Sequence, residues 1–199
     1  MTELTEQFDI PAGHLAEVVT LLEMRAAPTP AVAPASSGLE IRRVEKPSGD
    51  WYLRLFRAVG EEWLWESRLR LSADELRAIL EDERVEIYAL MREGREIGLL
   101  ELDFRKAGAC ELKFFGVVRE AIGSGAASFL MREAIARAWA KPIEQFWLRT
   151  CTLDHQRAVA FYMKAGFTPV KRWIAVFPDP RLGGLLRREA GAHAPVIES

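Results

Sequence analysis

Leu15, Val18, Val19 and Leu22 recur at i, i+3, i+4 and i+7. That spacing puts one apolar stripe on a helix, and Pro11 ahead of it suits a helix start. The pattern predicts a short amphipathic helix in an N-terminal extension, residues 1–27. A helix this short must dock on a larger body or a partner to persist. Residues 28–38, with Pro28, Pro30 and Pro34 among small residues, read as an extended linker. A main domain is then expected over 39–177. It opens on a β-like run, Leu39 to Val44, followed by a helix from Asp50 to about Trp65 with Ser48 as its cap and a bend at Gly60. Ser72 and Glu75 have the spacing of a capping box ahead of Leu76, Ile79 and Leu80. Val85–Met91 and Ile97–Phe104 read as two strands joined by a turn at Glu93-Gly94-Arg95. Beyond them the pattern runs strand (110–118), Gly-rich turn, helix to Trp139, strand (146–151), helix (155–164) and a last strand (170–177). Gly166 suits the position just past a helix end. The tail, 178–199, shows no regular period.

A strand–helix–strand crossover implies two parallel neighbours, and the strands before it read as an antiparallel meander. The predicted fold is therefore an α/β or α+β domain: a mixed, mostly antiparallel sheet with helices on both faces.

Composition narrows the function more than the fold. The chain has 199 residues, 49% apolar and 28% charged, enough for one real core. Lys and Arg number 27 against 29 Asp and Glu, a net charge of −2 that argues against a nucleic-acid partner. No apolar run approaches the roughly 18 residues that cross a bilayer. The start, Met1-Thr-Glu-Leu-Thr-Glu6, lacks the basic and apolar regions of a signal peptide. A cytoplasmic protein without a membrane partner is expected. Cys110 opens one predicted parallel strand and Cys151 closes its neighbour. Their separation of roughly 20 Å exceeds the about 7 Å a disulfide spans, so both are expected as free thiols. His14 and His193 have no second ligand at metal spacing, so no metal is expected.

The chemistry concentrates at Ile122-Gly-Ser-Gly-Ala-Ala127. A Gly/Ala turn between a buried strand and a helix is a candidate anion site, because the first helical N–H groups lack internal partners and the dipole is positive there. A tight connection made of small residues is the equal alternative. A P-loop is excluded for want of its Lys, and a dinucleotide fingerprint for want of its third glycine.

Three stretches together resemble the GNAT N-acetyltransferase superfamily: Glu111-Leu-Lys-Phe-Phe-Gly-Val-Val118, Ile122–Ala127, and Ala158-Val-Ala-Phe-Tyr-Met-Lys-Ala-Gly-Phe167. Gly125-x-Ala127 fits the second half of that family's phosphate loop, and 158–167 matches its later helix throughout. The resemblance spans about 39–177 and is strongest over 110–167. It departs at Ile122, where the family has Gln or Arg, and at His155, where it has Asn. Only one strand follows Phe167, where the family closes its sheet with a pair.

The resemblance implies an acyl-CoA-dependent N-acyltransferase, most simply one that uses acetyl-CoA (coenzyme A) and a small-molecule or peptide amine as acceptor. It implies two parallel strands, 110–118 and 146–152, that splay to admit the pantetheine arm. Phe115, Gly116 and Val117 would pair with that arm. Ile122, Gly123, Ser124, Gly125, Ala126, Ala127 and Ser128 would hold the pyrophosphate, with His155 and Ala158 nearby. An alkyl ammonium, of pKa about 10.4, must lose a proton before attack. Glu111 is the candidate base, since burial beside aromatics lifts a carboxyl toward a useful range; a strand-end carboxylate in an ion pair is the alternative. The Val117 N–H is the candidate oxyanion donor. Tyr162 is the candidate acid for the leaving thiolate, with a core aromatic as the alternative. Trp63, Trp65 and Glu62 are candidates for the acceptor pocket. A non-catalytic acyl-CoA-binding sensor or interaction module is the rival function, and a homodimer stays open.

Overall fold

The computed structural model describes residues 7–29 and 38–198. In chain order the elements are β1 (His14–Met24), β2 (Leu39–Arg43), α1 (Gly49–Gly60), a 3₁₀ turn (Glu61–Trp63), α2 (Ala73–Leu80), β3 (Val85–Arg92), β4 (Arg95–Asp103) and β5 (Ala109–Val117). A second 3₁₀ turn (Arg119–Ala121), α3 (Ala126–Trp139), β6 (Gln145–Cys151), α4 (Ala158–Lys164) and β7 (Thr168–Pro178) follow. The strands form one sheet in the order β2-β3-β4-β5-β6-β1-β7, antiparallel except for the pair β5–β6. This is the mixed sheet with helices on both faces that the pattern predicts.

The local signals act as the sequence suggests. The Ser48 side chain accepts the Trp51 N–H at the start of α1. Ser72 and Glu75 exchange both bonds of a capping box at α2. Gly166, at φ +104°, follows the end of α4.

The expected N-terminal helix is a strand. His14–Met24 lies between β6 and β7, with Val19 opposite Cys151 on one side and Trp173 on the other. The apolar positions 15, 18, 19 and 22 match a helical stripe only because a strand buried on both faces carries a nearly continuous apolar run. Val18, Val19 and Thr20 are β-branched and favour the extended chain. The segment placed outside the domain therefore completes its sheet. β1 also supplies the second closing strand missing after Phe167. Most of the expected linker lies outside the described residues.

Two apolar layers flank the sheet. On one face, α3 sets Leu130, Met131, Ala134 and Ala138 against Leu22, Leu100, Leu102, Phe146 and Leu148. On the other, α1 and α2 bury Tyr52, Phe56, Val59, Leu76 and Leu80 against Ile87, Leu99 and Phe114. Within that second layer, the Glu101 carboxylate receives the Tyr52 hydroxyl and the Arg68 guanidinium, all three buried.

The tail is irregular yet packed. Leu186, Ala190 and Ala194 join Leu15, Leu64 and Leu153 in a third apolar cluster. Arg181, only 5% exposed, pairs with buried Asp179 and donates to the carbonyls of Ala190, Gly191 and Ala194. One guanidinium thereby satisfies backbone groups that an irregular segment cannot satisfy through a ladder. Among the described residues, no helix is long and apolar enough to cross a membrane.

Candidate functional site

The sheet opens at its parallel pair. β5 and β6 are in register only at Ala109–Gln145, Cys110–Phe146 and Glu111–Trp147. The next residues of β5 carry a register shift against β4: Leu102 faces Leu112 and Glu101 faces Phe114, leaving Lys113 unmatched. An extra residue of this kind bends a strand and raises its twist. The bulge thus begins where the pairing with β6 ends, and the two strands part beyond it.

A cavity of about 1040 Å³ occupies the opening. Its lining comes from both faces of the sheet: Gly123, Gly125, Ala127, Phe161 and Tyr162 on the α3 side, and Trp63, Trp65, Glu17 and Phe177 on the other. It therefore passes through the sheet with two limbs.

Backbone polarity follows from the ladder. The Val118 N–H donates to Ile97 on the β4 side. Strand N–H groups alternate in direction, so those of Val117 and Phe115 point into the gap left by β6. Gly116 is required at this crossing, because a Cβ there would lie 2.5 Å from Val59 and 3.4 Å from Trp65.

The Gly turn leads into α3. Gly123 and Gly125 have φ of +81° and +86°, a region that favours glycine, and Gly125 is the N-cap of α3. No acidic side chain lies in the first turn of α3, whose leading N–H groups lack intrahelical partners. Ile122, Gly123, Gly125, Ala127 and Ser128 line the cavity. Ser124 and Ala126 do not. Ala126 is wholly buried in the core, and the Ser124 hydroxyl donates to the Ala121 carbonyl at 2.7 Å while accepting from Arg92 at 2.9 Å. Arg92, at the end of β3, thus brings a guanidinium to a loop whose own Gln/Arg position is Ile122. Sequence spacing gave no sign of it.

α4 presents Ala158, Phe161 and Tyr162 to the cavity. The Tyr162 ring lies 6.0 Å from that of Phe115, edge to face. Burial first, and the Asp154 carboxylate second, push its phenol well above the ordinary range, so the hydroxyl keeps its proton. His155 also lines the cavity, its Nδ1 accepting the Arg157 N–H at 3.1 Å in the turn that opens α4.

The carboxylates divide sharply. Glu111 lines the cavity but is held by Lys113 at 3.1 Å and Arg149 at 3.0 Å. The ion-paired alternative describes it, and the base expected there is not free. Glu62 does not line the cavity; it turns outward to Arg119. Asp154, absent from the sequence reading, accepts from Thr150 at 2.7 Å, the Cys151 N–H at 3.0 Å and the Trp65 indole at 3.3 Å. Glu17 was hidden by the helical reading of β1. Trp63 and Trp65 both line the cavity, Trp65 while packing on Phe56 and Phe114. Both cysteines are free, and burial raises both thiols. His193 is exposed, and its Nε2 lies 2.9 Å from the Leu153 carbonyl.

The model of the acetyltransferase (GNAT) family matches residues 50–167. No curated protein matches the chain. A functionally unknown conserved protein of Staphylococcus epidermidis has the same fold at TM-score 0.56 and 13% identity, over 84% of this chain and 64% of that one. A GCN5-related N-acetyltransferase of Sphaerobacter thermophilus aligns at TM-score 0.64 and 15% identity, over 83% of this chain and 53% of its own. The chain thus spans less than two thirds of either protein. An aminoglycoside acetyltransferase from an uncultured soil metagenomic sample, in complex with trehalose, aligns at TM-score 0.55 and 14% identity, over 67% of this chain and 90% of that one.

Proposed function

Because the chain belongs to the acetyltransferase (GNAT) family, we propose that it transfers acetyl from acetyl-CoA to a primary amine by direct attack. The observation that carries this reading is the parting of β5 and β6 after Glu111–Trp147, with a two-limbed cavity through the gap.

The α3 limb suits acetyl-CoA. A Cβ built on Gly123 or Gly125 would meet nothing within 4 Å, so the loop surface is open to a diphosphate. Unpaired amides, a positive helix end and the Arg92 guanidinium favour that charge. When bound, acetyl-CoA supplies the activated acyl group. The Phe115 and Val117 backbone groups are the pairing edge, and the Val117 N–H is the donor for a carbonyl oxygen at the crossing. The Tyr162 hydroxyl holds the proton for the departing sulfur. Its raised pKa does not bar the transfer, because burial penalises a thiolate in the same site as it penalises a phenolate.

The opposite limb supports an amine on an apolar or aromatic body. Trp63, Trp173, Phe177, Val19 and Leu153 line it. A flat apolar stem fills such walls without leaving polar atoms unpaired.

The test uses the full chain with acetyl-CoA, phenethylamine and a lysine-bearing peptide, and a thiol reagent to follow free CoA. Amine-dependent thiol release supports the proposal. Tight acetyl-CoA binding with no release from any primary amine supports the binding-module reading instead.

A further inference from the structure

Four carboxylate side chains line the cavity: Glu17, Glu66, Glu111 and Asp154. Three are occupied. Glu66 is paired with Arg70, Glu111 with Lys113 and Arg149, and Asp154 with three donors. Among the described residues, Glu17 has no cation paired to it; its neighbour is the Cys151 thiol. It sits on β1 opposite Ala175, two residues from Val19, on the strand face that shares the cavity with Cys151 and Trp173. The amine limb therefore holds one available carboxylate, and it comes from the strand that sequence reading placed outside the domain.

We infer that Glu17 is the general base of the reaction, receiving the acceptor's ammonium in the aromatic limb and taking its proton. This rests on the acetyl-transfer reading above. The carboxylate takes one proton from R–NH₃⁺. The freed nitrogen bonds to the acyl carbon as the carbon–sulfur bond breaks. The sulfur leaves with the Tyr162 phenolic proton, and the second nitrogen proton returns to Tyr162. Glu17 then releases its proton to solvent, so the products are the amide, the free thiol and one proton.

The surroundings suit the role. Burial, with the Asp154 and Glu66 carboxylates, lifts the Glu17 carboxyl above its ordinary range, against the lowering pull of Cys151 and Arg149. From β7 the cavity wall is Trp173, Ala175 and Phe177, which carry no charge. A base whose pKa lies closer to the working pH is the better catalyst.

The experiment compares wild type with Glu17→Gln in the full chain. Phenethylamine, an ammonium at neutral pH, should lose about 100-fold in kcat/KM, within the range general bases contribute. The acidic limb of its pH–rate profile should vanish. Phenylhydrazine, already neutral at pH 7, should stay within about threefold, since no base is needed. Acetyl-CoA affinity by calorimetry should not change, while phenethylamine binding to the CoA-loaded protein should weaken about tenfold, as expected for losing a partly buried charge partner. An unchanged rate and limb for phenethylamine would overturn the Glu17 assignment and leave acetyl transfer standing. A wild type that is inert with every primary amine overturns both. Should the Gln variant fail to bind acetyl-CoA, Glu17→Asp decides: a lower kcat/KM with a displaced limb supports the base, and a profile identical to wild type refutes it.

Discussion

The two limbs of the cavity are built in opposite ways. Apart from Arg92 on β3, the α3 limb comes from one stretch of chain, β5 through α4, and works mainly through backbone: free amides, two left-handed glycines and one unpaired strand edge. The opposite limb gathers side chains from β1, the first 3₁₀ turn, the β6–α4 loop and β7, with the tail packed behind Leu64 and Leu153. Backbone chemistry tolerates changes of side chain and leaves a local motif. A wall of distant side chains leaves none. The difference teaches that one limb can stay constant while the other is rebuilt for a different acceptor.

The comparison can be broken most severely at Arg181. Arg181→Met leaves the Asp179 carboxylate buried without its cation and strips the Ala190 and Ala194 carbonyls of their guanidinium donor, while Gly191 keeps the Ala194 N–H. We expect a loss of about 3–5 kcal/mol in denaturant unfolding, the range for breaking one half of a buried pair. Limited proteolysis should then cut the tail first, and acetyl-CoA binding should outlast amine turnover. Next is Tyr162→Phe, which acts where the limbs meet. It should lower kcat about 100-fold with acetyl-CoA affinity unchanged, and steady-state kinetics beside calorimetry read both. Gly60→Ala touches the amine limb alone. Its Cβ would fall 2.2 Å from the Trp65 ring, forcing that indole off Asp154. A stability loss of about 1–3 kcal/mol is expected, with the KM for the amine raised and that for acetyl-CoA held. Gly125→Ala is its counterpart in the α3 limb. With open space around it, the strain is conformational only, about 1 kcal/mol, and acetyl-CoA affinity alone should fall.

The smallest effect concerns stability and pH. The folded protein raises the Glu17 pKa, so the protonated form is favoured and this contribution is full below the unfolded value. It is lost as pH rises through the folded pKa. At neutral pH Glu17→Gln should therefore raise Tm slightly while lowering activity, and below pH 4 the gain should disappear; calorimetry at both pH values checks this. A residue kept at the expense of stability is one kept for function.

Much of the α3 limb was legible in advance. Its signals are short-range: Gly125 and Ala127 spaced on one turn, and Tyr162 on a helix whose register follows from its own neighbours. Within that loop the side chains of Ser124 and Ala126 turn to Ala121 and to the core, a placement the spacing did not show. The amine limb was largely illegible. Glu17 requires knowing that β1 is a strand, and the apolar spacing around Leu15 and Leu22 fits either period. Which carboxylate is free depends on cations both near and far in sequence: Glu111 pairs with Lys113, two residues on, and with Arg149, 38 residues away.

By itself, then, the chain determined its element types from Leu39 to Phe177, the glycine loop that opens α3 and the helix that carries Tyr162. These depend on capping, turn geometry and periodicity within a few residues. Only the tertiary structure decided that the first strand enters the sheet between β6 and β7, that the tail is pinned by one arginine, and that Glu17 rather than Glu111 stands unpaired in the cavity. Those outcomes depend on burial and charge pairing between segments that meet only in the folded chain, from Arg181 with Ala194 and Glu111 with Arg149 to Glu17 with Ala175, and no local pattern encodes them.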